Sequence, residues 1–136
     1  MFTERLLDHF RNPRNIGELP PPAFTVQVEN PACGDVMRLS IQFESGHVTE
    51  ARYKVRGCTA SIAAGSALTE WLRGRSREEI ALFRTEVIDA ELGGVPAASH
   101  HVTILCSDAV KAVLAAATAA ESTSPETTPA ARAKSH

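Results

Sequence analysis

A chain of 136 residues, 43% hydrophobic and 22% charged, can bury one domain-sized core and does not have the composition of a disordered chain. Its formal net charge of -2 leaves none of the cationic surplus that DNA or RNA demands, so nucleic acid is not an expected partner. The opening MFTERLLDHF carries charges throughout and reads as neither secretory signal nor membrane span, so cytoplasmic residence is expected.

Residues Thr3 to Phe10 supply one or two amphipathic turns. Asn12-Pro13-Arg14-Asn15, Gly17 and Pro20-Pro21-Pro22 break any continuation. From Phe24 the period changes: Phe24, Val26 and Val28 alternate with Thr25, Gln27 and Glu29, the pattern of a strand with one buried face. Met37, Leu39, Ile41 and Phe43 alternate with Arg38, Ser40, Gln42 and Glu44 in a second strand. Ser45-Gly46-His47 turns into a third that runs from Val48 to Arg56. Three strands joined by short turns predict an antiparallel meander.

After Gly57-Cys58 the run ASIAAGSALTEWL predicts a tightly packed helix that stops before Gly74. Ser76 with Glu79 is a capping-box pattern for a short helix through about Phe83, and Thr85 opens another that ends at Gly93-Gly94. Residues 96–103 read as a loop, with a last helix from near Ser107 that places Val110, Val113, Leu114 and Ala117 on one face. The expected fold is α+β: a three-stranded antiparallel sheet with helices packed on it over residues 1–121. A flexible tail is expected at 122–136, where STSPETTPAARAKSH has too few large apolar side chains to offset its ordering entropy.

On this map the three cysteines all fall at junctions. Cys33 lies in the turn NPACGDV between the first two strands, Cys58 where the third strand meets a helix, and Cys106 just before the last helix. Widely separated thiols in a reducing compartment point to metal or redox chemistry, against a plainer reading as buried structural thiols. A thiol at a helix N-terminus faces unpaired amides and the positive end of the helix dipole, which favours thiolate; Cys58 and Cys106 both qualify. A meander brings Cys33 and Cys58 to one end of the sheet, and a helix pointing there would bring Cys106. Asp35 would add an oxygen, giving a set suited to zinc or an iron-sulfur unit rather than to magnesium.

The segments DHFRNPRNIGEL, ENPACGDVMRL, YKVRGCTASIAAGSALTEWLRGRS and LCS before DAVKA resemble, in this order, the iron-sulfur cluster assembly scaffolds of the IscU and NifU N-terminal type. The resemblance implies a non-enzymatic scaffold on which a [2Fe-2S] cluster is built from iron and sulfur and then passed to acceptor proteins. It implies that Cys33, Asp35, Cys58 and Cys106 hold iron or the cluster. It also implies that a cysteine desulfurase delivers sulfur as persulfide, with Cys106, as the thiol before the last helix, its acceptor. A homodimer sharing a cluster is left open.

The chain departs from that pattern in three places. The histidine that usually precedes the third cysteine is Leu105 here. His100 and His101 lie just upstream, where adjacent histidines are more often solvated than ligating. Ser99-His100-His101-Val102-Thr103 replaces the Leu-Pro-Pro-Val-Lys segment read by a dedicated chaperone, which counts against that partner. The chain also reads about four residues short between Cys106 and DAVKAVL. Three cysteines and an aspartate without the histidine are also similar to the zinc-bound SufU branch, whose members accept persulfide sulfur as sulfurtransferases; that is the alternative. A cysteine-protease-like pairing of Cys106 with His100 or His101 lacks an orienting third group. Trp71 and Phe83 read as packing, Arg52, Lys54 and Arg56 as a basic strand face able to steer an acidic partner, and His47 as exposed.

Overall fold

The computed structural model of the chain describes residues 1–31 and 34–122. Helix α1 (Glu4–Arg11) starts because the Thr3 side chain accepts the Leu6 amide at 3.0 Å, and it ends at Asn12, ahead of Pro13. Its buried Leu6 faces helix α2 (Thr59–Leu72). Strands β1 (Phe24–Glu29), β2 (Val36–Glu44) and β3 (His47–Arg56) form one antiparallel sheet in the order β1-β2-β3, the meander expected from their alternation. Ser45 and Gly46 connect β2 to β3 with φ of 54° and 79°, the two positive values that a tight hairpin turn requires.

Met37, Leu39 and Ile41 of β2 and Ala51 and Tyr53 of β3 are buried together beneath the helices. Helix α2 covers β3, and the last helix, α5 (His101–Ser122), covers β1 and β2. Between them lie α3 (Arg77–Ala81), with its Ser76–Glu79 capping box intact, and α4 (Thr85–Glu91). Trp71 meets Phe83 edge to face with centroids 5.3 Å apart and carries the Arg75 guanidinium 4.2 Å above its ring, in keeping with a packing role.

Two features depart from the expected map. The segment after α1, read only as a break, lies along the free edge of β3: Tyr53 donates its amide to Asn15 and Gly17 donates to Tyr53, both at 2.9 Å. More consequentially, residues 96–103 are not a loop. A single 3₁₀ turn (Ala97–Ser99) leads straight into α5, which begins at His101 rather than near Ser107. Buried Val102, Leu105, Cys106, Ala109, Val110 and Val113 continue one helical stripe back past the expected start. The β-branched run Val102-Thr103-Ile104 disguised that first turn, and Thr103 steadies it by donating its hydroxyl to the His100 carbonyl at 2.8 Å. Residues 97–120 are long and apolar enough to cross a bilayer, with a mean hydropathy of 1.6 over their 18-residue apolar window, but the stripe just named faces the protein core. Beyond Ser122, the expected tail lies outside the described residues.

Helix α2 owes its close seat on β3 to small residues. A Cβ on Gly65 would stand 2.3 Å from two carbons of the Tyr53 ring, closer than atoms pack. In an open helix Gly→Ala gains about 1 kcal/mol. Here the buried ring has nowhere to go, so Gly65→Ala is expected to be net destabilising by roughly 1–3 kcal/mol in urea unfolding.

His9 of α1 meets the Ser66 hydroxyl of α2 at 2.7 Å. Burial, followed by the Arg14 charge, lowers its pKa against the weaker opposing pull of Glu70, Asp8 and Glu91. The unfolded chain therefore binds this proton more readily than the folded one, so the contribution is present above the ordinary histidine pKa and is lost as pH falls below it. Thermal midpoints measured between about pH 7.5 and about pH 5.5 should fall less steeply for His9→Gln than for the parent.

Candidate metal centre

The β2–β3 register builds the site. Val36 pairs with Arg56, so one step past each strand end sets Asp35 abreast of Gly57, with Cys58 next in line. Gly57 is required for this approach: a Cβ there would lie 2.5 Å from the Ser61 hydroxyl and 2.7 Å from the Asp35 carboxyl carbon. On the other side, the Asn30 amide donates to the Asp35 carbonyl at 2.9 Å, and the Gly34 amide to the Asn30 carbonyl at 2.7 Å. Gly34 takes φ +79° to close this turn. The Asp35 backbone is thereby anchored, and the residue is only 6% exposed.

Cys58 is the N-cap of α2. Its carbonyl accepts the Ser61 and Ile62 amides at 3.1 Å, while its side chain makes no cap bond and is directed to Asp35, with Sγ 3.6 Å from Oδ2. His101, the first residue of α5, brings Nε2 to 3.4 Å from the same oxygen. One donor atom from each of Asp35, Cys58 and His101 thus lies within 4.8 Å of the others. Tetrahedral coordination at zinc-like bond lengths separates ligand atoms by roughly 3.3–3.8 Å, which both contacts to Asp35 already satisfy.

Cys58 and Asp35 therefore converge as their sequence positions suggested. Cys33 lies outside the described residues, two positions before Asp35 in the sequence. Cys106 requires correction. It is the sixth residue of α5, fully buried in the core rather than poised before a helix, and its sulfur is not among the gathered donor atoms. It lies close enough to Tyr53 to influence that phenol, whose pKa burial pushes up to about 12. Burial likewise pushes the Cys106 thiol pKa up, the opposite of the helix-end effect expected for it.

His101 takes the place that sequence reasoning left to a solvated residue. His100 is exposed and serves through its carbonyl, which accepts the Thr103 amide and hydroxyl. The signal for His101 was present in the apparent four-residue shortening. If the histidine of the resemblance is His101, its neighbour is the buried Val102, four positions before Cys106, and no residues are missing. Leu105, read as the lost histidine, is simply part of the core.

Comparison with known proteins agrees with this architecture. The NifU-like N terminal domain model matches residues 1–123. The iron-sulfur cluster assembly scaffold protein IscU of Azotobacter vinelandii is 40% identical over 117 residues, covering 83% of this chain and 91% of that protein. Among solved structures, the N-terminal NifU-like protein of Brucella abortus superposes with a TM-score of 0.68 at 23% identity, covering 83% of this chain and 91% of that one. A putative SUF-system scaffold, FiSufU of Fervidobacterium islandicum, gives 0.65 at 17% identity with coverage of 83% and 96%, a likeness of fold. The family match over nearly the whole chain, together with a relative of this identity and coverage, shows that the chain belongs to the family of NifU-like N-terminal domains.

Proposed function

We propose that this protein is a scaffold on which a [2Fe-2S] cluster is assembled from iron and desulfurase-derived sulfur, then passed to acceptor proteins in the cytoplasm. The observation that carries the reading is the convergence of Asp35, Cys58 and His101, whose donor atoms lie within 4.8 Å of one another. Cys33 is the fourth ligand in this proposal, and Cys106 is not a ligand. Residues 1–121 are the working domain.

Two thiolates, one imidazole and one carboxylate form a set of mixed softness, matched to iron or zinc and poorly to magnesium or calcium. The carboxylate oxygen is the hardest and most exchangeable donor, which suits a centre that must give up what it builds. The same donor set fits mononuclear zinc, and this favours a second reading: a zinc-bound, SufU-like sulfurtransferase that accepts persulfide sulfur. In both readings a cysteine desulfurase is the partner upstream.

Anaerobic reconstitution with ferrous iron, a desulfurase and free cysteine separates the two readings. Visible sulfur-to-iron charge-transfer absorption is expected; a colourless product with one tightly bound zinc would overturn the scaffold in favour of the transferase.

Asp35→Ala should slow cluster release to an acceptor by about tenfold, equivalent to about 1.4 kcal/mol. Release as fast as in the parent contradicts the role given to that oxygen.

His101→Ala should weaken zinc binding by more than the roughly 10–100-fold typical of losing an outer-shell partner, whereas Cys106→Ala should leave it nearly unchanged. Competition with a chromophoric chelator reads both.

A further inference from the structure

Two hollows adjoin at the end of β3, just before the chain enters the metal centre, and they share Lys54 and Val55. The first, of about 220 Å³, is mostly apolar and is lined also by Ile16, Tyr53 and Ile62. Ile16 is 54% exposed, although its neighbours Asn15 and Gly17 hold the edge of β3 by backbone hydrogen bonds. Ile62 lies one helical turn from Cys58, whose carbonyl accepts its amide at 3.1 Å. The second hollow, of about 270 Å³, opens on the sheet face that alternation turns away from the helices. Arg38, Lys54 and Arg56 line it with Gln27 and Val36, and no carboxylate lines it among the described residues.

The strand register forces these cations together. Arg38 stands directly opposite Lys54, a like-charge pair that costs free energy, and Arg56 stands opposite Val36 on the same face. Glu18 offsets part of that cost, accepting two hydrogen bonds from Arg38 at 3.0 and 3.1 Å and standing 3.8 Å from Lys54. Arg56 is exposed and has no ion pair among the described residues. Glu29, level with it in the sheet, lies two strands away, roughly 10 Å. The apolar hollow suits an aliphatic side chain, and the cationic one suits carboxylates. A polypeptide segment supplies both within a few residues, whereas the net charge of -2 counts against nucleic acid.

We propose that this end of β3 is the docking site for an acidic segment of a partner protein, with one aliphatic side chain seated against Ile16, Val55 and Ile62 and carboxylates meeting Arg38, Lys54 and Arg56. An apolar anchor within a charged rim gives a small interface both affinity and electrostatic steering. The segment abuts Val36 and Arg56, the chain neighbours of Asp35 and Gly57, so it brings its protein to the mouth of the metal centre while leaving the donor atoms open. This docking needs no metal and stands apart from the scaffold reading.

Metal-free protein is titrated with a fluorescein-labelled hexapeptide of one leucine among five glutamates, and its anisotropy is read. Binding is expected at about 50 mM salt and weakens at about 500 mM. Arg56→Glu or Lys54→Glu sets like charges together and should weaken it by about tenfold or more. Ile16→Ser, at an exposed position, should weaken it too, whereas Lys111→Glu, exposed on α5 and lining neither hollow, should leave it nearly unchanged. Thermal midpoints verify that each variant folds. No binding at about 1 mM peptide, equal weakening by Lys111→Glu, or equal binding of a peptide with glycine for the leucine overturns the proposal. Tighter binding of a single-stranded hexanucleotide also overturns it, by assigning the face to nucleic acid. The two readings can fail separately: a cluster that forms on protein unable to hold the peptide removes only the docking site, and peptide held by protein that forms no cluster removes only the scaffold.

Discussion

The site depends on one close approach: the Asp35 carboxyl occupies space that any side chain at position 57 would need. That approach follows from the β2–β3 register, which sets Asp35 beside Gly57 and leaves Cys58 at the head of α2. A shift of one residue in that pairing would turn Met37, Leu39 and Ile41 out of the core and carry the carboxylate away from the thiol. Burial of the apolar face therefore fixes the site's geometry as well as the fold. Sheet packing and the gathering of the candidate donor atoms are one constraint seen from its two ends.

The elements divide by how locally each is determined. Alternation in 37–44, the Ser76–Glu79 box and the small-residue run after Cys58 were legible because each is set by neighbours within a few positions. The start of α5 was not. Its first turn contains Val102, Thr103 and Ile104, weak helix formers that become helical because Val102 and Thr103 are buried against the rest of the molecule. The error propagated to the site, since placing the helix late moved Cys106 to its tip and left His101 in a loop. The parallel pairing of 15–17 with β3 was invisible for a related reason: it is long-range, and the segment has no alternating pattern of its own.

His101 shows how the site gathers its parts from distant stretches of sequence. The acid comes from the start of a strand, the thiol from the end of another, and the imidazole from the first residue of a helix that crosses the opposite half of the sheet. All three lie at or beside element termini, where ordered backbone anchors them, with Asp35 buried and Cys58 exposed. Such a centre has a firm base and an open top. A cargo that must arrive in pieces and leave whole needs that combination, and a site enclosed in the core, such as the surroundings of Cys106, would forbid it.

The Tyr53 hydroxyl donates to the Ile62 carbonyl of α2 at 2.7 Å, while its ring fills the hollow at Gly65. The phenol pins the helix to the strand one turn downstream of Cys58 and keeps α2 from sliding along its axis. The bite of the proposed metal centre is thus calibrated by a residue outside its donor set. An engineer wishing to widen or narrow it would do better to retune this peg and its socket than to exchange the ligands themselves.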